Sequence, residues 1–455
     1  MKKIVFIVLC MAGMNSYAQT IQMNFPHFSG KSYDFVIFQG DAQKTVFQGT
    51  IPDNGKFSLT IPKEYAPYTG MSRWLITGTQ EGGGLDMVIP GKDFSVECKE
   101  AQPNENNIIY EGNNQVKLLN GFYKEQQLLF SRSDAMMKAS LAFSKTDKNH
   151  ALYQEQYQKQ VAEYTTFERT MSTTPGYAEK FLHIVNITMG IGTEMIPEEE
   201  KKALNISQYI VDRMDWDALY TSGHWTSVIG AWIDIHGQVL KDPYQFVNDF
   251  AKIGEKIKDE KKYTDFAGRV AYFLTQQGKD TYLNTIAPLV VASGKVKNYE
   301  GSLSVFIKAA VGTQAPDLTI TEHTGKISDH NHKTTVLKSS ELAGKTYNKT
   351  MLLFYESGCG PCENLLQQLP GNYENIKAKG VRIMSISADK DETVFMGKAK
   401  DFLWKDYFCD YEGLKGENFK NYAVSGTPTI ILLDSTGKII LRTAGLGEVL
   451  DFLKE

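Results

Sequence analysis

Residues 354–366, FYESGCGPCENLL, place Cys359 and Cys362 three positions apart, with Gly360 and Pro361 between them. Two thiols at this spacing can exchange electrons with a disulfide, supply half of a metal site, or close a small structural loop. A zinc site needs a second pair of ligands, and Cys98 and Cys409 stand alone in the sequence. The short apolar run at 350–355 has the make-up of a buried strand and the segment after the pair is amphipathic, so Cys359 falls where a strand hands over to a helix. Unpaired amides and the positive end of the macrodipole at a helix N-terminus stabilise a thiolate, lowering its pKa below the free value of about 8.5. Cys359 is therefore expected to be the nucleophile. Cys362, almost one turn later on the same face, is expected to be a buried, less acidic resolving thiol. Pro361 suits a first helical turn, and Gly360 leaves the approach of a disulfide unobstructed. This placement favours redox chemistry over a structural disulfide.

The rest of the chain must carry and position that pair. At 455 residues it exceeds one hydrophobic core, and a prior of roughly 150 residues per domain suggests about three domains. A hydrophobic fraction of 42% with 22% charged residues excludes a disordered chain. Residues 1–18 differ from this average: Lys2 and Lys3 precede an apolar run at 4–14, and Ser16-Tyr17-Ala18 supplies small residues for a cleavage site. They read as a signal peptide, with a periplasmic or otherwise exported mature chain beginning near Gln19. Cleavage removes two lysines and no acid, taking the formal charge from −4 to −6. With no basic stretch interleaved with aromatics, nucleic acid is not an expected partner, and no later segment is long and apolar enough for a stable membrane span. Exported chains usually place cysteines in even-numbered disulfide frameworks; here four remain, two of them three apart.

From 19 to 112 short alternating runs such as YDFVIFQG, SRWLITGT and LDMVIPG are closed by turn residues, which predicts an all-β sandwich or barrel. Asp53-Asn54-Gly55 predicts a hairpin. From 113 to 311 the period is helical: Tyr153, Tyr157, Val161 and Tyr164 form one stripe, and amphipathic stretches recur near 177–190, 198–214, 224–237, 244–258, 262–277 and 281–292. Such stripes are expected to be core, and His183, His224 and His236 lack ligand spacing and are expected to be structural. Cys98 is expected to be a buried small hydrophobe. From 312 to 455, strands at 350–355, 381–388, 406–409, 428–434 and 438–445 alternate with helical segments and end in a helix near 446–454, an α/β sheet of about five strands. The cluster Asp329-His330-Asn331-His332 is expected to be a solvent-exposed loop.

With the pair on this map, residues 312–455 resemble the thioredoxin superfamily, specifically its exported TlpA-like and ResA-like thiol-disulfide oxidoreductases. The resemblance is carried by Ala315-Pro316-Asp317, Cys359-Gly360-Pro361-Cys362 and the GTPT run at 426–429. It implies that Cys359 and Cys362 form the redox-active disulfide, that Pro428 is cis and faces it, and that the backbone of Thr427 pairs with a bound substrate strand. Disulfide-containing exported proteins are the expected substrates; a reductase in an oxidising compartment must be recharged, for which a membrane thiol donor is expected, and no bound cofactor or metal is expected. The Gly-Pro dipeptide resembles reducing thioredoxins, near −270 mV, more than strong oxidants near −120 mV. The order of β-rich, helical and thioredoxin-like domains also resembles exported multidomain proteins of Bacteroidota.

Some positions depart from the family pattern. Gly358 stands where Trp often precedes the first cysteine, and Leu353 where many thioredoxins bury an Asp. Glu356 and Glu363 are the nearby alternatives for a proton acceptor, and Cys409 for a third redox thiol, although solvated carboxylates and a buried thiol are the expected states. A thiol peroxidase is a weaker alternative, because Leu352 and Glu356 occupy the places of its Pro and Thr. A further alternative is a docking protein whose front domains carry the main role beside an accessory redox domain.

Overall fold

The computed structural model describes residues 19–79, 82–323 and 332–454. The leader expected at 1–18 lies outside the described residues, as do Asp329, His330 and Asn331, while His332 begins a strand. The chain divides into two compact units, Met1–Val228 and Ile229–Glu455, so the division falls within the helical stretch.

The first unit opens with β1 (Gln19–Asn24), β2 (Ser32–Gln39), β3 (Ala42–Thr50), β4 (Lys56–Ile61), β5 (Thr69–Thr77), β6 (Gly84–Pro90), β7 (Phe94–Glu97) and β8 (Ile109–Glu111). They form two four-stranded sheets, β4-β1-β7-β8 and β3-β2-β5-β6. Alternate residues of both sheets, among them Ile21, Leu59 and Val96 from one and Phe35, Trp74 and Ile89 from the other, fill a shared core, which makes a sandwich rather than a barrel. The turn Asp53-Asn54-Gly55 forms but does not make the expected hairpin: β3 pairs with β2, and β4 with β1. Gly55 explains why. Its carbonyl accepts from Phe25 N at 2.8 Å, and a Cβ there, at φ +69°, would lie 2.3 Å from Pro26 Cα, so the turn is packed onto the end of β1 and crosses between sheets. The tight hairpin is at Gly40-Asp41, between β2 and β3.

This unit continues through α1 (Gln115–Leu141), α2 (Lys148–Ser172), α3 (Tyr177–Thr188), α4 (Glu199–Gln208) and α5 (Trp216–Tyr220). The aromatic stripe is core, with Tyr157 and Tyr164 buried and Tyr164 packed among Leu129, Phe167 and Met171. His183 is structural: its Nε2 lies 2.8 Å from Glu168 Oε2 and its Nδ1 3.2 Å from Glu179 Oε1. Burial opposes charge on this imidazole, but the hydrogen bonds to Glu168 and then Glu179 outweigh it and raise its pKa to about 9.

The division falls inside α6 (Trp225–Asp234), and the second unit adds α7 (Pro243–Lys256), α8 (Glu260–Gln276) and α9 (Asp280–Ala292). After α9 come an antiparallel pair not expected from sequence, β9 (Leu318–His323) and β10 (His332–Leu337), and then β11 (Lys349–Tyr355), α10 (Gly360–Ala378), β12 (Val381–Ser387), α11 (Glu392–Ala399), β13 (Asp406–Cys409), α12 (Glu417–Asn421), β14 (Thr429–Asp434), β15 (Ile439–Thr443) and α13 (Leu446–Phe452). The five-stranded order is β13-β12-β11-β14-β15, parallel from β11 to β13 and antiparallel at β14 and β15. β11 is central and buried on both faces: Leu352 and Phe354 enter one core, Met351, Leu353 and Tyr355 the other. Such a strand reads as a continuous apolar run.

The helices before the sheet are fastened to it by a buried ion pair. Arg442 on β15 and Asp280 at the start of α9 lie 3.0 Å apart, with side chains 2% and 6% exposed. The guanidinium also donates to the carbonyls of Tyr422 and Ala423 at 2.8 and 2.9 Å. Removing one partner of such a pair strands a buried charge. Asp280→Asn should cost about 3 kcal/mol, the low end because two carbonyls still hold the guanidinium. The check is a lower denaturant midpoint at unchanged m, with much of the loss recovered when Arg442→Met accompanies Asp280→Leu.

Candidate active site

β11 ends at Tyr355 and α10 begins at Gly360, so four residues turn the chain from the sheet into the helix. Gly358 makes the turn at φ +77°, a conformation that strains other residues. Cys359 is the N-cap in extended conformation, and its carbonyl accepts the first helical hydrogen bond, from Glu363 N at 2.9 Å. Pro361 occupies the first turn, where its missing N–H costs no helical bond. Cys359 is half-buried, whereas Cys362 is fully buried among Leu365, Leu369 and Ile430. Both are free thiols. Burial, and then the neighbouring Cys359, raise the pKa of Cys362.

The residues expected to act together do meet. The peptide bond between Thr427 and Pro428 is cis. The Cys359 thiol donates to the Thr427 carbonyl at 3.6 Å, and the Thr427 hydroxyl reaches the same sulfur at 3.9 Å. A half-exposed sulfur thus lies against a loop backbone, with a second sulfur one turn behind it in an apolar core.

The carboxylates take different places from those considered in the sequence. Glu363 accepts from Gly358 N at 2.9 Å and from Lys398 Nζ at 2.6 Å. The Lys398 hydrogen bond first, and then the Gly358 amide, hold its pKa below the ordinary carboxylate value, so it is a clasp across the turn and a weak base. Glu356 is exposed. Leu353 packs in the core beneath α10, where an Asp would be unpartnered. A buried carboxylate instead comes from Asp389, just beyond β12 and 4% exposed. It accepts from Ser357 N at 3.0 Å, Ser357 Oγ at 2.7 Å and Ser387 Oγ at 2.7 Å. Asp389 positions the turn two residues before Cys359; sequence spacing carries no sign of this, because the pairing depends on β11 and β12 lying side by side. Cys409 is buried, its thiol donating to Asp389 O at 3.2 Å, and burial pushes its pKa up to about 12.

Removing the lysine tests the clasp. The folded pKa of Glu363 lies below its unfolded value, so the clasp is intact at neutral pH and is lost as pH falls through the depressed value. In Lys398→Met the carboxyl-carbon NMR titration midpoint of Glu363 should move up toward about 4.3; an unmoved midpoint would exclude this role for Lys398.

Residues 311–442 match the family model described as AhpC/TSA family. Among curated proteins the chain is similar to the thiol-disulfide oxidoreductase ResA of Bacillus cereus, 28% identical over 169 residues, which are 37% of this chain and 90% of the relative. It is also similar to nucleoredoxin of Homo sapiens, 32% identical over 117 residues, 25% of this chain and 26% of the relative. A solved thioredoxin-like protein from Bacteroides caccae aligns with 18% identity and a TM-score of 0.38, covering 57% of this chain and 94% of that one. The C-terminal part of the chain is thus similar to ResA-like thiol-disulfide oxidoreductases, which supports a thioredoxin-like oxidoreductase by class.

Proposed function

We propose that the protein is an exported thiol-disulfide oxidoreductase that reduces or exchanges disulfides of protein substrates through Cys359 and Cys362. The observation that carries this reading is the asymmetry of the two thiols: Cys359 is accessible at a helix N-cap against the Thr427 carbonyl, and Cys362 is fully buried. Cys359, as thiolate, attacks one sulfur of a substrate disulfide, and the other sulfur leaves as a thiolate. Cys362 then gives up its proton and attacks the Cys359 sulfur, which breaks the mixed disulfide and frees the second substrate thiol. Two electrons and two protons pass from the dithiol to the substrate, leaving a Cys359–Cys362 disulfide.

The raised pKa of Cys362 suits this order, because a resolving thiol that stays protonated does not compete for the incoming disulfide. Thr427 and Pro428 form the loop against which the substrate strand lies. Export is supported by Lys2, Lys3, the apolar run at 4–14 and Ser16-Tyr17-Ala18. A periplasmic or otherwise exported reductase needs an electron source, for which a membrane thiol donor is the proposed partner.

In cells, Cys362→Ser should accumulate mixed disulfides on Cys359, visible as adducts that vanish on reduction, and Cys359→Ser should accumulate none. With purified protein, Cys359→Ser should reduce insulin only at the uncatalysed rate. Adducts of equal yield in both variants, or insulin reduction by Cys359→Ser at the wild-type rate, would refute the assignment.

A further inference from the structure

Beside the dithiol lies a cleft of about 330 Å³. The first turns of α10 form one side, through Pro361, Asn364 and Leu365, and Gly426 to Pro428 form the second. A third side belongs to a different part of the unit: residues 275–278, the last two residues of α8 and the start of its turn into α9, border the same space, with Ala444 to Leu446 beside them. This turn is held in place. Gln276 Nε2 donates to Ser425 O at 3.3 Å, and a Cβ on Gly426 would come within 3.6 Å of Gln276 Nε2 and 3.8 Å of Thr275 O. At its far end Gly278, at φ +63°, packs so closely that a Cβ would lie 2.6 Å from Ala444 Cβ. Two residues later Asp280 makes the buried ion pair with Arg442.

The cleft also has a definite chemistry. Among the described residues, no Asp, Glu, Lys, Arg or His lines it; the polar groups are the carboxamides of Gln276, Gln277, Asn364 and Gln368 and the Thr hydroxyls, set among Leu365, Pro428 and Leu446. Carboxamides offer both donors and acceptors, the complement of a peptide backbone. A charged side chain entering the cleft would lose hydration without an opposite charge in return.

Resting on the redox reading above, we propose that the α8–α9 turn is the specificity wall of the dithiol site and that it admits an extended polypeptide segment without charged side chains next to the substrate cysteine. The helices ahead of the sheet thereby take part in choosing substrates, and Gln276, exposed at the rim, is a specificity-determining residue.

The test uses the reduced full chain in single turnover against three peptides. Each carries one cysteine in a disulfide with the same chromogenic aryl thiol, flanked by neutral residues, by lysines or by glutamates. Wild type should reduce the neutral peptide fastest. Relative to wild type, the lysine-to-glutamate rate ratio should rise about fivefold in Gln276→Glu and fall about fivefold in Gln276→Lys, the size of a near-surface charge pair, and the shift should shrink at high salt. A ratio within one variant cancels any loss of overall activity. Identical ratios in all three proteins would overturn the wall while leaving the redox reading in place; failure of every protein to reduce any of the peptides would overturn both.

Discussion

A helix beginning at Gly360 leaves the amides of its first turn without carbonyl partners, and the residue at its N-cap, Cys359, is held beside those amides. Where that helix begins is set by β11. Because the strand is buried on both faces and hydrogen-bonded to β12 and β14 on either side, its end at Tyr355 is fixed, and so is the short path to Gly360. A frayed strand end or a helix shifted by one residue would rotate Cys359 away from Thr427 and draw Cys362 out of its apolar surroundings.

Two independent polar anchors hold that path. On one side Asp389 takes both donors of Ser357; on the other Glu363, bridged to Lys398, takes the amide of Gly358. Each takes up polar groups of the turn at the end of the central strand, and each ties the turn to a different neighbour, the end of β12 and the helix α11. Cys359, the proposed nucleophile, is thus half-buried on a rigid platform, which lets its sulfur keep one orientation toward an incoming bond.

Much of this was legible in the chain itself. The alternation of apolar runs with amphipathic segments after residue 340 reports a sheet with covering helices, since a strand buried on both faces and a helix with one apolar stripe differ in period. The cysteine spacing and Pro361 placed the pair at the helix start, and resemblance supplied Thr427 and Pro428. What could not be read depends on contacts between distant segments: Asp389 reaching Ser357, Gln276 reaching Ser425, and Arg442 reaching Asp280. Asp53-Asn54-Gly55 is the instructive error. Its turn chemistry was right, yet turn chemistry does not choose the partner strand, and the packing of Gly55 against Pro26 sends β4 to the other sheet.

The Arg442–Asp280 pair bears on how portable the oxidoreductase module is. The family-matched span begins after α9 has ended, so an excised fragment would retain Arg442 and forfeit its only carboxylate at hydrogen-bonding distance among the described residues. In such a fragment the guanidinium would keep its two carbonyl partners but have no counterion, so the boundary of the matched span and the boundary of a fully paired unit differ. Moving this module by itself would call either for α9 to travel with it or for an uncharged residue in place of Arg442.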